Sequence, residues 1–571
     1  MTLRRLYLYL YLVSAVGLGL LAAGLALLGT TVLLFVFNDP SAQYSRTQLA
    51  GFTAMTAVAL PVWGIHFWFA RRYAMRNPYE RASAIRRLYI YWACLGSAIG
   101  FMVALAITAG DLLRPLVDTC AYPALGPLQK GGPVANFCPT SQNWLATSQA
   151  GWVAAVFLGI WALHFWIAVR DRAAVGETGP SATLRRWYMY IVLLVGLLVM
   201  LSGASSLIQV LWLKAVNSPL GNNMYIGDAA GLFIAGLLVW GFHARAVWQA
   251  HTADDRHSTL RAVQGFIALA VSIAIAVFGA SQILYYALAR LLGVDDPGGA
   301  GNDILGALAS PASLLVVYGT AWFLMRRRLA QDAHAQEGDR QANIRRLYTN
   351  LASLVSLGAW AIGAGGLLWT LAEQVEAPII GVTAGDWKNP VSLWLTLLVV
   401  GAAVWLAHWR QAPWATDRQS LPRRLYVWAA LLASVLAALG AGVGMLAAVL
   451  RQVFSARPTL ADSANLDFGH HLAVLAVAAG VGFYHWRVLR ADSAARPPKA
   501  AAQLAAAAVA AAAVPVLVPA PEIADPHTHR YLLSVTDATE DDVHQALSSL
   551  PPHAAYKLSP AEKGAVPVDG H

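Results

Sequence analysis

Charge is scarce in this chain. Asp, Glu, Lys and Arg make up 12% of its 571 residues, and hydrophobic side chains make up 58%. A soluble domain carries about 25% charged residues. Too few polar groups remain to clothe a water-facing surface, which excludes a soluble globular protein and leaves one whose outside faces lipid. Cysteine is scarcer still. Cys94, Cys120 and Cys138 include no C-x-x-C pair, so a zinc or dithiol-redox motif has no support. No Walker, G-x-S-x-G, H-E-x-x-H or G-x-G-x-x-G motif stands in a suitable context, so the reading leans away from an enzyme.

What is present is long apolar runs. About 20 apolar residues, each rising ~1.5 Å, cross a ~30 Å hydrocarbon core. Twelve such runs occur, near 6–36, 50–70, 88–113, 149–169, 187–213, 229–248, 263–292, 307–325, 347–372, 391–409, 425–450 and 469–489. No A-x-A cleavage pattern follows the first, which reads as a retained span.

The runs pair into a repeat of about 80 residues. Each odd run opens on a basic-aromatic motif: RRLYLYLYL at 4–12, RRLYIYWAC at 86–94, RRWYMYIVL at 185–193, RRLYTNLAS at 345–353 and RRLYVWAAL at 423–431. The fourth unit is degenerate, with Arg261 alone before AVQGFIALA. The expected hairpins are 4–72, 86–170, 185–248, 261–328, 345–410 and 423–490. Arginine placement gives an orientation. The N-terminal stub and the loops after even runs hold 25 Lys and Arg, against 8 in the loops after odd runs. The positive-inside rule then puts the Arg-rich side and both termini in the cytoplasm of a plasma (inner) membrane. The net charge of +10 is thus a topology signal and implies no nucleic-acid partner.

Arg4, Arg5, Arg86, Arg87, Arg185, Arg186, Arg345, Arg346, Arg423 and Arg424 read as interface anchors in the headgroup layer. Tyr7 sits a turn deeper with a wet hydroxyl. Such clusters also attract anionic lipids. The small-residue stretches at 17–29, 363–366 and 440–444 read as helix-packing faces.

The even runs carry a second mark. It reads Trp63-Gly-Ile-His66, Trp161-Ala-Leu-His164, Trp240-Gly-Phe-His243 and Trp405-Leu-Ala-His408. His485 has glycine in the Trp position, and the fourth unit has Tyr318 and Ala321. Trp and His three apart share a helix face. The main reading is an interfacial belt bonding headgroups or helix ends. The alternative is a haem, metal, proton or quinone site using His66, His164, His243, His408 and His485. No cofactor is predicted, and haem is the one to test. A third reading is a carrier for an uncharged or lipid-like solute. Carboxylates are nearly absent from the spans, which disfavours ion-coupled transport.

Cys120 and Cys138 lie in the longest outer loop and are a disulfide candidate. After residue 491 comes an Ala/Pro-rich linker, 492–526. The tail 527–571 reads as strand, helix, strand, a small cytoplasmic C-terminal α/β segment.

The Arg-Arg-Leu-Tyr-x-Tyr openings, outer loops and even spans ending in an aromatic and Arg resemble a bacterial membrane family catalogued as a domain of unknown function. Residues 4–72 and 86–170 carry the likeness best, 345–410 and 423–490 follow it, and 261–328 departs most. The resemblance implies a four-helix domain of two hairpins and no assigned activity. The expectation is an all-α integral membrane protein of twelve transmembrane helices, six tandem hairpins in residues 1–491. Its expected role is that of a non-enzymatic scaffold, partner-binding or sensory subunit. The expected partners are the lipid bilayer and a membrane protein or second copy.

Overall fold

The computed structural model describes residues 3–118, 144–221, 224–249, 258–299, 303–334, 339–379, 381, 383–409, 418, 420–454 and 468–494. Within them are twelve helices long and apolar enough to cross a membrane. They are α1 (Leu3–Val36), α2 (Arg46–Arg76), α3 (Ala84–Val117), α4 (Trp144–Val175), α5 (Gly179–Ala215) and α6 (Ile226–Gln249). Then come α7 (Thr259–Leu291), α8 (Ala309–His334), α9 (Asp339–Ile379), α10 (Lys388–Trp409), α11 (Leu421–Phe454) and α12 (Phe468–Ala494). They belong to a unit spanning Met1–Ala495. Cys120, Cys138 and the expected linker and tail beyond residue 494 lie outside the described residues.

Helix ends follow local chemistry. Pro61 is accommodated inside α2. Asp39 accepts the Ser41 amide and turns the chain from α1 toward α2. Asn77 caps a short helical turn opened by Pro78, and Ser83 caps α3 through the Arg86 amide. Asp118, just past α3, accepts the amides of Ile226 and Gly227 at 2.8 and 2.9 Å. It therefore caps α6 from another helix, where the exposed N–H groups favour an anion.

Each odd helix packs along the even helix that follows it. It also touches the even helix three places on: α1 on α4, α3 on α6, α5 on α8, α7 on α10 and α9 on α12. Neighbouring odd helices touch as well. Large apolar side chains such as Leu8, Leu12, Leu20 and Leu27 stay exposed along α1, as a lipid-facing surface requires.

Close approach depends on glycine at particular points. A Cβ on Gly203 of α5 would fall 2.3 Å from the Phe233 amide of α6, and one on Gly363 of α9 would fall 2.4 Å from the Leu398 amide of α10. Not every small residue serves this end. Gly19, Gly440 and Gly442 face open space, so those stretches are packing faces only in part, at Gly17, Gly24, Gly29 and Gly444. Successive residues advance about 100° around a helix, so a run of small residues cannot lie wholly on one face.

Candidate functional site

The repeated Trp, Tyr and His residues meet in space. His164 on α4 places Nε2 3.1 Å from the Tyr89 hydroxyl on α3. Trp63 of α2 donates to the same hydroxyl at 3.0 Å. His164 Nδ1 lies 2.8 Å from its own helix's Ile160 carbonyl. The arrangement recurs one hairpin on. Trp161 donates to Tyr188 at 2.9 Å, Tyr188 meets His243 at 2.7 Å, and His243 meets the Val239 carbonyl at 2.8 Å. It recurs at the end of the chain with Trp405, Tyr426, His485 and the Val481 carbonyl, at 2.9, 2.9 and 2.8 Å. The three tyrosines and three histidines are buried.

Direction follows from inventory. A carbonyl only accepts, so Nδ1 carries the ring proton. In the neutral ring Nε2 is then a bare acceptor, and the tyrosine hydroxyl donates to it. The indole N–H donates to the tyrosine oxygen. The chain runs Trp N–H to Tyr O–H to His, then His N–H to carbonyl. It begins on a group that only donates and ends on one that only accepts.

This explains the Trp-x-x-His spacing. The histidine reaches back to the tyrosine of its own hairpin, and the tryptophan reaches forward to that of the next. An aromatic one residue beyond the histidine completes each unit. Phe67 stacks under Trp63 at 5.4 Å between centroids and packs on Tyr89 and His164. Trp409 stacks under Trp405 and sits 4.6 Å from Tyr426. Phe165 stacks under Trp161.

The outer units vary. His66 meets Tyr9 at 3.4 Å at an exposed position. Tyr7 packs edge-on against Tyr73. His408 meets Tyr348 at 3.3 Å. In the fourth hairpin Gln264 stands where the others have tyrosine, and Ala321 where they have histidine. Both partners are gone together, and on α6 of the preceding hairpin Ala244 follows His243 where the stacking aromatic would stand. Keeping one partner alone would leave a buried polar group unmatched, at a cost of about 1–3 kcal/mol.

The arginines divide. Arg86 and Arg87 are expected in the headgroup layer but lie inside the protein, essentially inaccessible. Arg86 bonds Asp171 at 2.7 Å and the Tyr11 hydroxyl at 3.2 Å, and Arg81 adds a second bond to Asp171. Arg87 faces Glu177 at 3.5 Å, Arg185 faces it at 3.0 Å, and the Tyr91 hydroxyl donates to it. Arg423 is likewise buried, bonded to Asp492 at 2.8 Å and lying over Trp409. Asp171 and Asp492 each follow their histidine by seven residues. A buried cation needs such a carboxylate. Arg186, Arg345 and Arg346 are half-buried and Arg424 is exposed, while the side chains of Arg4 and Arg5 lie outside the described residues. A true surface belt does exist, carried by other arginines: Arg71 and Arg170 over Trp166, Arg72 over Trp68 and Arg490 over Trp486.

Residues 7–136 and 346–480 each match the family described as a domain of unknown function, DUF5671. Over those two segments, a little under half of its length, the chain is similar to the DUF5671 family. No curated protein and no solved structure matches the chain. The first DUF5671 segment contains Trp63 and Tyr89, and the second contains Trp405 and Tyr426.

Two apolar cavities lie in the later half. One, about 410 Å³, sits among α9, α10, α11 and α12, with Trp369, Trp394 and His470 on its walls. The other, about 380 Å³, lies between α7, α9 and α10 and reaches Tyr348 and His408. Among the described residues no group of three or more His, Cys, Asp or Glu is placed to hold a metal ion.

Proposed function

We propose that the chain is a non-enzymatic, multi-pass scaffold or partner-binding subunit of a plasma membrane, made of six tandem hairpins fastened by Trp–Tyr–His bonds. One observation carries this reading. Each complete chain of bonds is closed at both ends, by an indole that has no lone pair to offer and a carbonyl that has no proton to pass. A proton relay needs groups that both accept and donate along the path. A haem ligand needs a free Nε2 facing the metal, and here Nε2 takes the tyrosine proton. Both facts support a structural role for the repeated histidines. The arginine bias supports cytoplasmic placement of the basic ends and of both termini.

The test is native purification with an absorption spectrum and mass spectrometry of everything bound. A colourless preparation that retains a stoichiometric protein partner is the expected result. A Soret band lost on His164→Ala and His485→Ala replaces this reading with a haem subunit. A second reading, carriage of an apolar solute, is favoured by the cavity among α9–α12. A copurified apolar small molecule displaced by Gly365→Leu, which narrows that cavity, decides for it.

A further inference from the structure

A third cleft differs in chemistry from the apolar cavities. It measures about 900 Å³ and lies between the basic ends of α4, α5 and α6. Arg172, Arg185, Arg186 and Arg245 line it, and Glu177 is the one carboxylate on its wall. Glu177 is already engaged by Arg87, Arg185 and Tyr91 from three directions. It therefore does not neutralise Arg172 and Arg245, which are exposed on α4 and α6. The cleft carries a net positive charge of about three, held in one concavity.

Below the arginines the wall turns apolar. Phe165 and Phe242 meet edge-on at 5.6 Å and form it. Phe242 is exposed at the helix surface, so the apolar wall runs on into the face that meets lipid. An occupant that suits both halves is amphiphilic, with an anionic head and a hydrocarbon body. Guanidinium forks match phosphate oxygens in pairs, and basic pockets between membrane helices hold acidic headgroups. A soluble anion would use the arginines but leave the exposed face of Phe242 uncovered.

We propose that this cleft binds the phosphodiester headgroup of an anionic lipid, with Arg172 and Arg245 on the phosphate and an acyl chain along Phe242. The proposal rests on the membrane reading of the helices and not on the scaffold role.

The test uses the full chain in lipid–detergent micelles with spin-labelled phosphatidylglycerol and spin-labelled phosphatidylcholine as probes. Protein-bound label is read by electron paramagnetic resonance. Phosphatidylglycerol is expected to be retained in preference to phosphatidylcholine. Each arginine near a headgroup is worth roughly 5-fold in affinity. Arg245→Gln should therefore cut the preference about 5-fold, and Arg172→Gln with Arg245→Gln should nearly abolish it. Both residues are exposed, and unchanged phosphatidylcholine association shows that the variants remain folded. Arg76→Gln, outside the cleft, should change nothing. An unchanged preference in the double variant overturns the site. Displacement of the label by millimolar inorganic phosphate assigns the cleft to a soluble anion and overturns the lipid. Loss of label from both lipids in the unaltered protein would instead refute the membrane reading itself.

Discussion

Removing one oxygen should show how much a Trp–Tyr–His fastening contributes. Tyr188→Phe deletes the hydroxyl that takes the Trp161 indole proton at 2.9 Å and meets His243 at 2.7 Å. The ring stays, with its stack on Tyr91 at 5.7 Å and its edge contact with His243. The loss is therefore two hydrogen bonds and little packing. Hydrogen bonds between membrane helices average about 0.6 kcal/mol and reach about 1.7 kcal/mol. Two of them bracket the cost between about 1 and 3 kcal/mol, and full burial of Tyr188 and His243 places it near 2 kcal/mol. Unfolding by sodium dodecyl sulfate in mixed micelles, followed by circular dichroism, reads this difference. Tyr44→Phe, at an exposed position, is the control and should cost under about 0.5 kcal/mol. Trp161→Phe should lower the cost of Tyr188→Phe by about 1 kcal/mol, because the hydroxyl then has one partner fewer to lose. Equal costs for Tyr188→Phe and Tyr44→Phe, or no coupling to Trp161, would refute the fastening.

The other predictions use the same assay. Restoring the missing pair by Gln264→Tyr with Ala321→His should be better tolerated than either change alone, giving a favourable coupling of about 1 kcal/mol; additive costs would show that the two positions do not meet. Asp492→Ala should destabilise by about 3 kcal/mol because it leaves the Arg423 charge buried, and pairing Arg423→Met with Asp492→Leu should recover at least half of that loss. Gly203→Ala should sharply reduce folded protein, since its Cβ has no room against α6, whereas Gly159→Ala, facing open space, should leave stability level or raised.

The helices were legible in the sequence because apolar length is a one-dimensional property. The runs at 88–113 and 187–213 fall inside α3 and α5, and all twelve correspond to helices. What each motif residue does was not legible, because that depends on rotation about the helix axis and on which helix lies opposite. Trp63 and Tyr89 are 26 residues apart, and no local pattern announces their bond. The Arg-Arg pair reads as a surface anchor from composition, yet Arg86 and Arg87 are buried. The missed signals were Asp171 and Asp492, seven residues after their histidines, and the aromatics Phe67, Phe165 and Trp409 just after theirs. The paired loss of tyrosine and histidine in the fourth hairpin was present in the sequence too. It acquires meaning only once Tyr89 and His164 are seen to touch.

That fourth hairpin also sets the mechanics of the bundle. Among the described residues no Trp–Tyr–His chain ties it to the third hairpin, and Trp240, Leu194 and Met325 pack there around Leu197, Ala268 and Ala321 instead, while the far end is held by Ser205 against Ser313, Trp212 on the Leu305 carbonyl and Ser218 on Asp303. Hydrogen bonds fix direction and register, whereas apolar packing resists separation without fixing either. Where α1–α6 meet α7–α12, the basic side thus relies on apolar packing and the side beside Asp303 on hydrogen bonds.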